Sequence, residues 1–242
     1  MTFDKVIGHR GASAYAPENT FAAFEKAKEL GCSFIEFDVM LNHDGSAFVF
    51  HDERLDRTTN GLGEFVDTPT EHIKSLDAGS WFAVQFRGEK IPEFREVLTW
   101  LQNKGMQANI EIKPYPGTTE QTTKTVVSQL LEQWSAHDSW PLVSSFDHQA
   151  LKICQDLAPQ LPLGFLMHHW DKHWEAKASA LNCYSVNLNH RILSKDRVRE
   201  IKLRGFKVLV YTVNRKSLAQ KLFDWGVDAV FSDYPDLLVV SS

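Results

Sequence analysis

Short runs rich in β-forming residues alternate with amphipathic stretches along the sequence, and this alternation restricts the possible folds more than any other feature. Strand, helix and strand in regular succession predict a mostly parallel sheet covered by helices. The chain has 242 residues, and one (β/α)8 barrel typically takes about 250. We predict strands at residues 6–9, 34–41, 47–51, 108–112, 142–144, 163–166, 184–188, 207–212 and 229–231. We predict helices at residues 20–30, 94–104, 119–134, 148–157, 174–180, 195–203 and 216–223.

Nine strands are one more than such a barrel needs, and the linker between the second and third strands accounts for the surplus. Only residues 42–46 separate these strands, whereas a parallel crossover needs about a dozen residues. Asp44-Gly45 within the linker favours a tight hairpin turn. The sequence therefore predicts an α/β fold: an irregular TIM-type (β/α)8 barrel with an antiparallel hairpin between its second and third strands.

A long aperiodic segment follows the third strand. Residues 53–91 are rich in Gly, Thr, Asp and aromatic residues and show neither strand nor helix periodicity. A loop of this length inside a compact domain is usually functional. We predict that residues 1–242 form a single barrel domain in which residues 53–91 are a small insert that caps one mouth.

The overall composition excludes several classes of protein. The chain carries 26 Lys and Arg against 31 Asp and Glu, a net charge of −5, so no basic excess suggests a nucleic acid partner. No apolar run approaches the roughly 18 residues of a membrane span, so we expect no stable membrane insertion. Three dispersed cysteines and the lack of a recognisable signal peptide predict a cytoplasmic protein. The oligomeric state is left open.

Acidic side chains interrupt two otherwise apolar strands. Glu36 and Asp38 are two residues apart, so both point to one face of the second strand. Glu111 and Lys113 repeat this spacing in the fourth strand. Buried like charges are unfavourable unless they share a proton or bind a cation. We therefore predict an all-oxygen site for Mg²⁺ or Ca²⁺ formed by Glu36, Asp38 and Glu111.

His9 and His51 end the first and third predicted strands, and the carboxyl ends of the strands are the side of a barrel that usually carries the active site. His9-Arg10 ends the first strand, and Arg10 offers a planar fork for a phosphate. A two-residue turn in the hairpin would place His51 directly opposite Glu36 or Asp38, whereas a three-residue loop would not. Two histidines near a cation and basic side chains suit phosphoryl transfer. The other histidines are interpreted as structural: His43, His72, His137, His148, His168, His169, His173 and His190.

Taken in order, these motifs resemble the glycerophosphodiester phosphodiesterase family, and most of all its short cytoplasmic bacterial members. The resemblance spans essentially the whole chain. The motifs are His9-Arg10-Gly11, Pro17-Glu18-Asn19-Thr20, Glu36-x-Asp38, Asp44-Gly45, His51-Asp52, Arg57-Thr58-Thr59-Asn60-Gly61, Asp77-Ala78-Gly79-Ser80-Trp81-Phe82, Ile91-Pro92, Glu111-x-Lys113, Tyr211-Thr212-Val213-Asn214 and Ser232-Asp233-Tyr234-Pro235.

The resemblance implies a barrel related to phospholipase C–like phosphodiesterases and a function in hydrolysing glycerophosphodiesters. Small-molecule substrates such as glycerophosphocholine or glycerophosphoethanolamine would yield glycerol 3-phosphate and an alcohol, with one Mg²⁺ or Ca²⁺. It implies that Glu36, Asp38 and Glu111 bind the metal, that His9 and His51 form the acid–base pair, and that Arg10 and Lys113 hold the phosphate. Asn19 and Asp233 would support these groups. Tyr211, Trp81 and Phe146 would line the alcohol side.

Three alternatives stay open on the sequence. A phosphodiesterase acting on lysolipids would share the chemistry but need an apolar rim, for which Trp81, Phe82 and Phe86 are candidates. A non-catalytic barrel that binds glycerophosphodiesters or scaffolds a transporter would need neither both histidines nor all three acids, and this sequence has all five. The first nucleophile is either water or the 2-hydroxyl of the glycerol, which would give a transient cyclic phosphate.

Overall fold

The computed structural model describes residues 3–134 and 139–238. Within these ranges the strands are β1 (Val6–His9), β2 (Phe34–Leu41), β3 (Ala47–Val49), β4 (Gln107–Ile112), β5 (Leu142–Ser145), β6 (Leu163–Met167), β7 (Ser185–Asn189), β8 (Lys207–Tyr211) and β9 (Ala229–Ser232). The helices are α1 (Phe21–Glu29), α2 (Thr70–Ser75), α3 (Phe94–Lys104), α4 (Thr119–Trp134), α5 (His148–Leu157), α6 (Trp174–Ala180), α7 (Lys195–Leu203) and α8 (Lys216–Asp224). No helix of this described part is long and apolar enough to cross a membrane.

Eight of these strands are parallel and close into a barrel in the order β1-β9-β8-β7-β6-β5-β4-β2. The ring is closed by β1 and β2, where Gly8 pairs with Ile35 and His9 with Glu36. The predicted TIM-type barrel is therefore confirmed, and the predicted ends of the strands and helices lie within two residues of the observed ones.

Packing against the outer helices fixes which face of β2 points inward. Ile35, Phe37 and Val39 are fully buried in the core between barrel and helices. The ring of Phe37 lies 5.7 Å from that of Phe24 on α1 and 6.3 Å from that of Phe94 on α3. Burying one such side chain stabilises the fold by about 1.5–3 kcal/mol. Because side chains alternate along a strand, Glu36 and Asp38 must face the barrel interior.

The hairpin between β2 and β3 is confirmed, but the predicted two-residue turn is wrong. Val39 pairs with Val49 and Leu41 with Ala47, so the connecting loop comprises residues 43–45. The N–H of Asn42 donates to the Ser46 carbonyl at 3.1 Å, and Gly45 has φ +75°. A type I turn followed by a left-handed glycine is the usual form of a three-residue hairpin loop. Asp44-Gly45 suits this turn as well as a two-residue one.

The observed register also overturns the predicted pairing of His51 with Glu36 or Asp38. Phe50 lies opposite Asp38, and its N–H donates to the Asp38 carbonyl at 3.1 Å. If side chains kept alternating between the two faces of β3 for one more residue, His51 would point away from Glu36 and Asp38. The strand ends at Val49, two residues earlier than predicted, so alternation does not govern the orientation of His51.

Residues 53–91 contain two short helical segments that the sequence did not predict, α2 and a 3₁₀ turn at Val84–Phe86. Apolar side chains of this segment pack with Met40, Phe48 and Phe50 of the hairpin and form a small core separate from that of the barrel. Phe50 and Phe65 stack with their ring centres 4.8 Å apart. The hairpin loop also contacts the segment, since Asp44 Oδ2 accepts the N–H of Thr70 at 2.6 Å.

Candidate active site

A cavity of about 500 Å³ opens among the carboxyl ends of the barrel strands. Its walls bring together most of the residues singled out in the sequence. Those that line it are His9, Arg10, Glu36, His51, Glu111, Lys113, Phe146 and Tyr211. None of residues 53–91, all of which the structure describes, lines this cavity, so the capping role of the insert stays a prediction.

The three predicted metal ligands form one cluster in the wall of the barrel. Asp38 pairs with Glu111 across β2 and β4, which brings the acids of both strands side by side. One oxygen from each of Glu36, Asp38 and Glu111 lies within 4.8 Å of the other two. Asn19 Nδ2 donates to Asp38 Oδ2 at 2.9 Å, so Asn19 fixes the orientation of this carboxylate.

Close approach changes the pKa values of these acids. Burial, together with the charges of Asp38 and Glu111, raises the pKa of Glu36 well above its usual range. Burial and Asp38 raise the pKa of Glu111 to about 8. Burial acts in the same direction on Asp38, but Arg10, His51 and Lys113 outweigh it and lower its pKa to about 2. One ionised carboxylate therefore stands beside two that resist ionisation.

This donor set fits a single hard cation. Ca²⁺ and Mg²⁺ take oxygen ligands at about 2.0–2.6 Å, so oxygens bound to one ion lie within about 5 Å of one another. The three oxygens meet that condition. A divalent charge would also favour ionisation of Glu36 and Glu111, whose burial otherwise opposes it.

Two basic side chains stand beside the carboxylates. Arg10 adopts φ +56°, and its N–H donates to Glu36 Oε2 at 3.0 Å. Its Nε lies 3.4 Å from Asp38 Oδ2, while Nη1 donates to Glu18 Oε1 at 2.7 Å. Lys113 Nζ lies 4.0 Å from Asp38 Oδ1. Both predicted phosphate-binding residues are thus at the cavity next to the candidate metal site.

His9 is held by a partly buried carboxylate just after the neighbouring strand β9. Its Nδ1 lies 2.6 Å from Asp233 Oδ1. Ser13 and Asn214 donate to the same carboxylate at 3.0 and 2.6 Å. Burial opposes ionisation, but His9 and these hydrogen bonds lower the pKa of Asp233 to about 2. Because an ionised carboxylate only accepts, Nδ1 carries the proton and Nε2 is the nitrogen free for substrate.

His51 is held in the same way by Asp52, whose Oδ1 lies 2.5 Å from His51 Nδ1. Arg57 donates to Asp52 and also to both oxygens of Glu18, the latter at 2.7 Å. Since Glu18 also accepts from Arg10, one chain of charged hydrogen bonds runs from His51 to the phosphate-binding side of the cavity. Glu18 and Arg57 both stand in motifs that carry the family resemblance, but the sequence assigned neither of them a role, and their mutual contact joins residues 39 apart in sequence.

The three aromatic residues predicted to line the alcohol side are placed differently. Tyr211 and Phe146 line the cavity and pack edge to face, with ring centres 6.0 Å apart. The Tyr211 hydroxyl donates to the Met167 carbonyl at 2.9 Å. Trp81 is not brought to the cavity; its indole N–H donates to the Ala78 carbonyl at 2.9 Å, and its ring packs on Phe82.

Two histidines interpreted as structural line the cavity instead. His168 directly follows β6, and His190 directly follows β7 next to Arg191. The signal was present, because residues just after barrel strands face the catalytic mouth, and the same rule selected His9. Of the remaining histidines so interpreted, His137 lies outside the described residues.

Comparison with known proteins agrees with this geometry. A family model described as the glycerophosphoryl diester phosphodiesterase family matches residues 9–237. A glycerophosphodiester phosphodiesterase of Caldanaerobacter subterraneus subsp. tengcongensis is 38% identical, over 97% of this chain and 96% of that protein. One from Bacillus subtilis is 36% identical, over 96% and 84% respectively. An Oleispira antarctica phosphodiesterase, solved in complex with the product sn-glycerol-3-phosphate, is 38% identical and superposes with a TM-score of 0.94, covering 98% of this chain and 95% of that one.

Proposed function

The chain belongs to the glycerophosphoryl diester phosphodiesterase family, and we propose that this glycerophosphodiester phosphodiesterase works with one divalent cation, Mg²⁺ or Ca²⁺, and with His9 and His51 as its proton-transfer pair. Its substrates would be small glycerophosphodiesters such as glycerophosphocholine or glycerophosphoethanolamine, and its products glycerol 3-phosphate and an alcohol. The observation that carries the proposal is that both histidines share one cavity with Glu36 and Glu111, while Asp38 completes the carboxylate cluster.

Glu36, Asp38 and Glu111 would hold the cation, which supplies positive charge against the phosphate when bound. Arg10 and Lys113 line the cavity and both lie beside Asp38, and they would bind the non-bridging phosphate oxygens. These residues hold charge in place before the reaction begins, so little reorganisation is needed as negative charge develops.

The paired carboxylates support the role of the histidines. Because Nδ1 of His9 faces Asp233 and Nδ1 of His51 faces Asp52, Nε2 of each ring is left for substrate. One histidine would remove the proton from the nucleophile, and the other would protonate the leaving oxygen. If the nucleophile is the glycerol 2-hydroxyl, a cyclic phosphate forms and the histidines exchange roles when water opens it.

The test is hydrolysis of glycerophosphocholine with and without a chelator. We expect turnover to be lost in chelator and restored by added Mg²⁺ or Ca²⁺; full turnover in excess chelator would remove the cation from the proposal. No turnover under any condition would favour a barrel that only binds such diesters. Faster turnover of micellar lysolipid than of glycerophosphocholine would favour the lipid-specific alternative.

The histidine pair is tested by His9→Ala and His51→Ala, each of which should lower turnover by at least about 100-fold. The double variant should lose less than the product of the two single losses, because the two residues act as a unit. His72→Ala, on the exposed face of α2, is the matched control. Near-normal turnover of either variant would remove that histidine from proton transfer.

A further inference from the structure

The cavity has a second wall, formed by the ends of β6 and β7. In the closed ring of eight strands, β6 and β7 lie three or four positions away from β1 and β2, across the barrel mouth from His9 and the carboxylates. The polar residues of this wall are His168, Asn189, His190 and Arg191. Nothing in the proton-transfer scheme above uses them, although they line the same cavity.

Hydrogen bonds fix this wall. Asn189 Oδ1 accepts the N–H of Arg191 at 2.9 Å, and Asn189 Nδ2 lies 3.4 Å from His168 Nδ1. The Nδ1 atom of His190 is buried without a hydrogen-bond partner among the described residues. Within the same part of the chain, no ion pair engages the exposed Arg191 guanidinium. These bonds fix the backbone at Arg191 and contact His168, while His190 Nδ1 and the Arg191 guanidinium keep their bonding capacity unused.

The charges on this wall have one sign. The carboxylates that line the cavity belong to Glu36 and Glu111. They lie on the opposite side, where a bound cation would neutralise them. Arg191 carries a permanent positive charge, and no carboxylate lines the β6–β7 side in the described chain. A positively charged group placed there would meet repulsion, whereas hydroxyl or anionic oxygens would find hydrogen-bond partners.

We propose that Arg191, His190 and His168 form a subsite for the alcohol arm of the diester and select uncharged polyol or anionic head groups over cationic ones such as choline, so that glycerophosphocholine is cleaved but is the poorer substrate. This inference rests on the proposed function, since it assigns the variable arm of the same substrate. The phosphate at the carboxylate side would leave that arm directed across the mouth. Asn189 acts as a positioning residue, because it holds the backbone at Arg191 and contacts the ring of His168.

The Phe and Tyr residues that line the cavity are Phe146, Tyr211 and Phe231, and they do not provide a cage for a quaternary ammonium group, since Phe231 is buried in an apolar cluster of the core. Phe146 and Tyr211 pack against each other edge to face at an angle of 89°. The hydroxyl of Tyr211 is fixed to the Met167 carbonyl. Recognition of such cations usually relies on several ring faces, whereas here one of the three rings is buried and the other two contact each other.

The test compares kcat/KM for glycerophosphoinositol, whose head group is a neutral polyol, with that for glycerophosphocholine. We expect the wild-type enzyme to prefer the inositol substrate by at least about tenfold, the ratio that one hydrogen bond from a charged donor supplies. Arg191→Gln should bring the two values within about threefold of each other. Arg199→Gln, which removes the same charge from the exposed face of α7, should leave the ratio unchanged.

A wild-type preference for glycerophosphocholine would overturn this subsite, as would an Arg191→Gln variant that slows both substrates by the same factor. The second result would mean that the wall contacts the glycerol common to both. Failure of the proposed function has a different signature, because neither substrate would then be cleaved even with Mg²⁺ or Ca²⁺ present.

Discussion

Arg57 binds the carboxylate of Asp52 through two hydrogen bonds, from Nε at 2.5 Å and from Nη2 at 2.9 Å. Asp52 in turn contacts His51, and Arg57 also binds Glu18, the partner of Arg10. A single side chain of the insert thus connects one histidine of the site with its arginine. Bidentate arginine–carboxylate pairs restrict geometry as well as supplying binding energy.

Arg57→Gln should therefore lower kcat by about tenfold to 100-fold with a smaller change in KM, because a misoriented group slows the reaction more than it weakens substrate binding. Arg57→Lys should recover only part of the loss, since it keeps the charge but not the planar fork. Steady-state kinetics on glycerophosphocholine measures both.

Arg54→Gln is the matched control. Arg54 also lies in the insert and pairs with Asp56 and Glu64, but it has no contact with the site among its ion pairs. Equal losses in both variants would mean that Arg57 only stabilises the insert, and unchanged kcat in Arg57→Gln would contradict the positioning role.

Local patterns predicted the barrel and the carboxylate cluster. Apolar Ile35, Phe37 and Val39 alternate with Glu36 and Asp38, and this alternation alone determines which side faces the interior. The same holds for β4, so the cluster follows once both strands are parallel neighbours. Such information is contained within each strand, which is why the sequence predicted it.

Contacts between distant segments were not predictable in this way. Glu18 and Arg57 meet only because the insert contacts the loop between β1 and α1. The hairpin register depends on the choice between two- and three-residue loops, and Asp44-Gly45 is compatible with both. His51 then reaches the cavity because β3 ends early, which periodicity does not reveal.

Glu111→Gln tests the metal site. We expect turnover to fall by at least about 100-fold, since one of three oxygen ligands loses its charge. In chelator the melting temperature should not fall, because burial and Asp38 already raise the pKa of Glu111 to about 8 and the change removes a repulsion.

Thermal unfolding in chelator and calorimetric titration with Mg²⁺ and Ca²⁺ measure the two effects separately. Glu120→Gln, on the exposed first turn of α4, is the control for charge removal. Wild-type cation affinity in Glu111→Gln would exclude this residue as a ligand, and a large loss of stability in chelator would assign it a structural role.

The acid stability of the insert should depend on Asp77. Although burial acts in the opposite direction, hydrogen bonds from Ser80, Gly79 and Gly88 lower the pKa of its carboxyl. Because the carboxyl of Asp77 has a lower pKa in the folded protein than in the unfolded chain, where it is about 3.8, its ionised form stabilises the fold. This stabilisation is complete above the unfolded pKa and is lost as the pH falls through the folded pKa. Asp77→Asn should therefore lower the melting temperature at pH 7.

Melting temperatures between pH 3 and pH 7 check this prediction, because the difference between wild type and Asp77→Asn should stay constant above about pH 5 and shrink below it. Asp67→Asn, an exposed carboxylate of the same insert, should show no such trend. A difference that does not change with pH would mean that shape rather than charge accounts for the role of Asp77.

The hairpin loop should affect stability more than catalysis. Gly45 has φ +75°, and an added Cβ would lie 3.0 Å from Gln121 Nε2. Gly45→Ala should therefore destabilise the fold by about 1 kcal/mol. Because Asp52 orients His51 beyond the end of β3, kcat should stay within about twofold of wild type at temperatures where the variant is folded.

Gly31→Ala is the matched control. Gly31 has φ +92°, but an added Cβ there would have no neighbour within 4 Å, so this variant should show only the part of the stability loss that comes from backbone strain. Chemical denaturation and kinetics would be measured on both variants. A large loss of kcat in Gly45→Ala with its stability intact would show that the hairpin register itself, rather than the hydrogen bond to Asp52, determines where His51 lies.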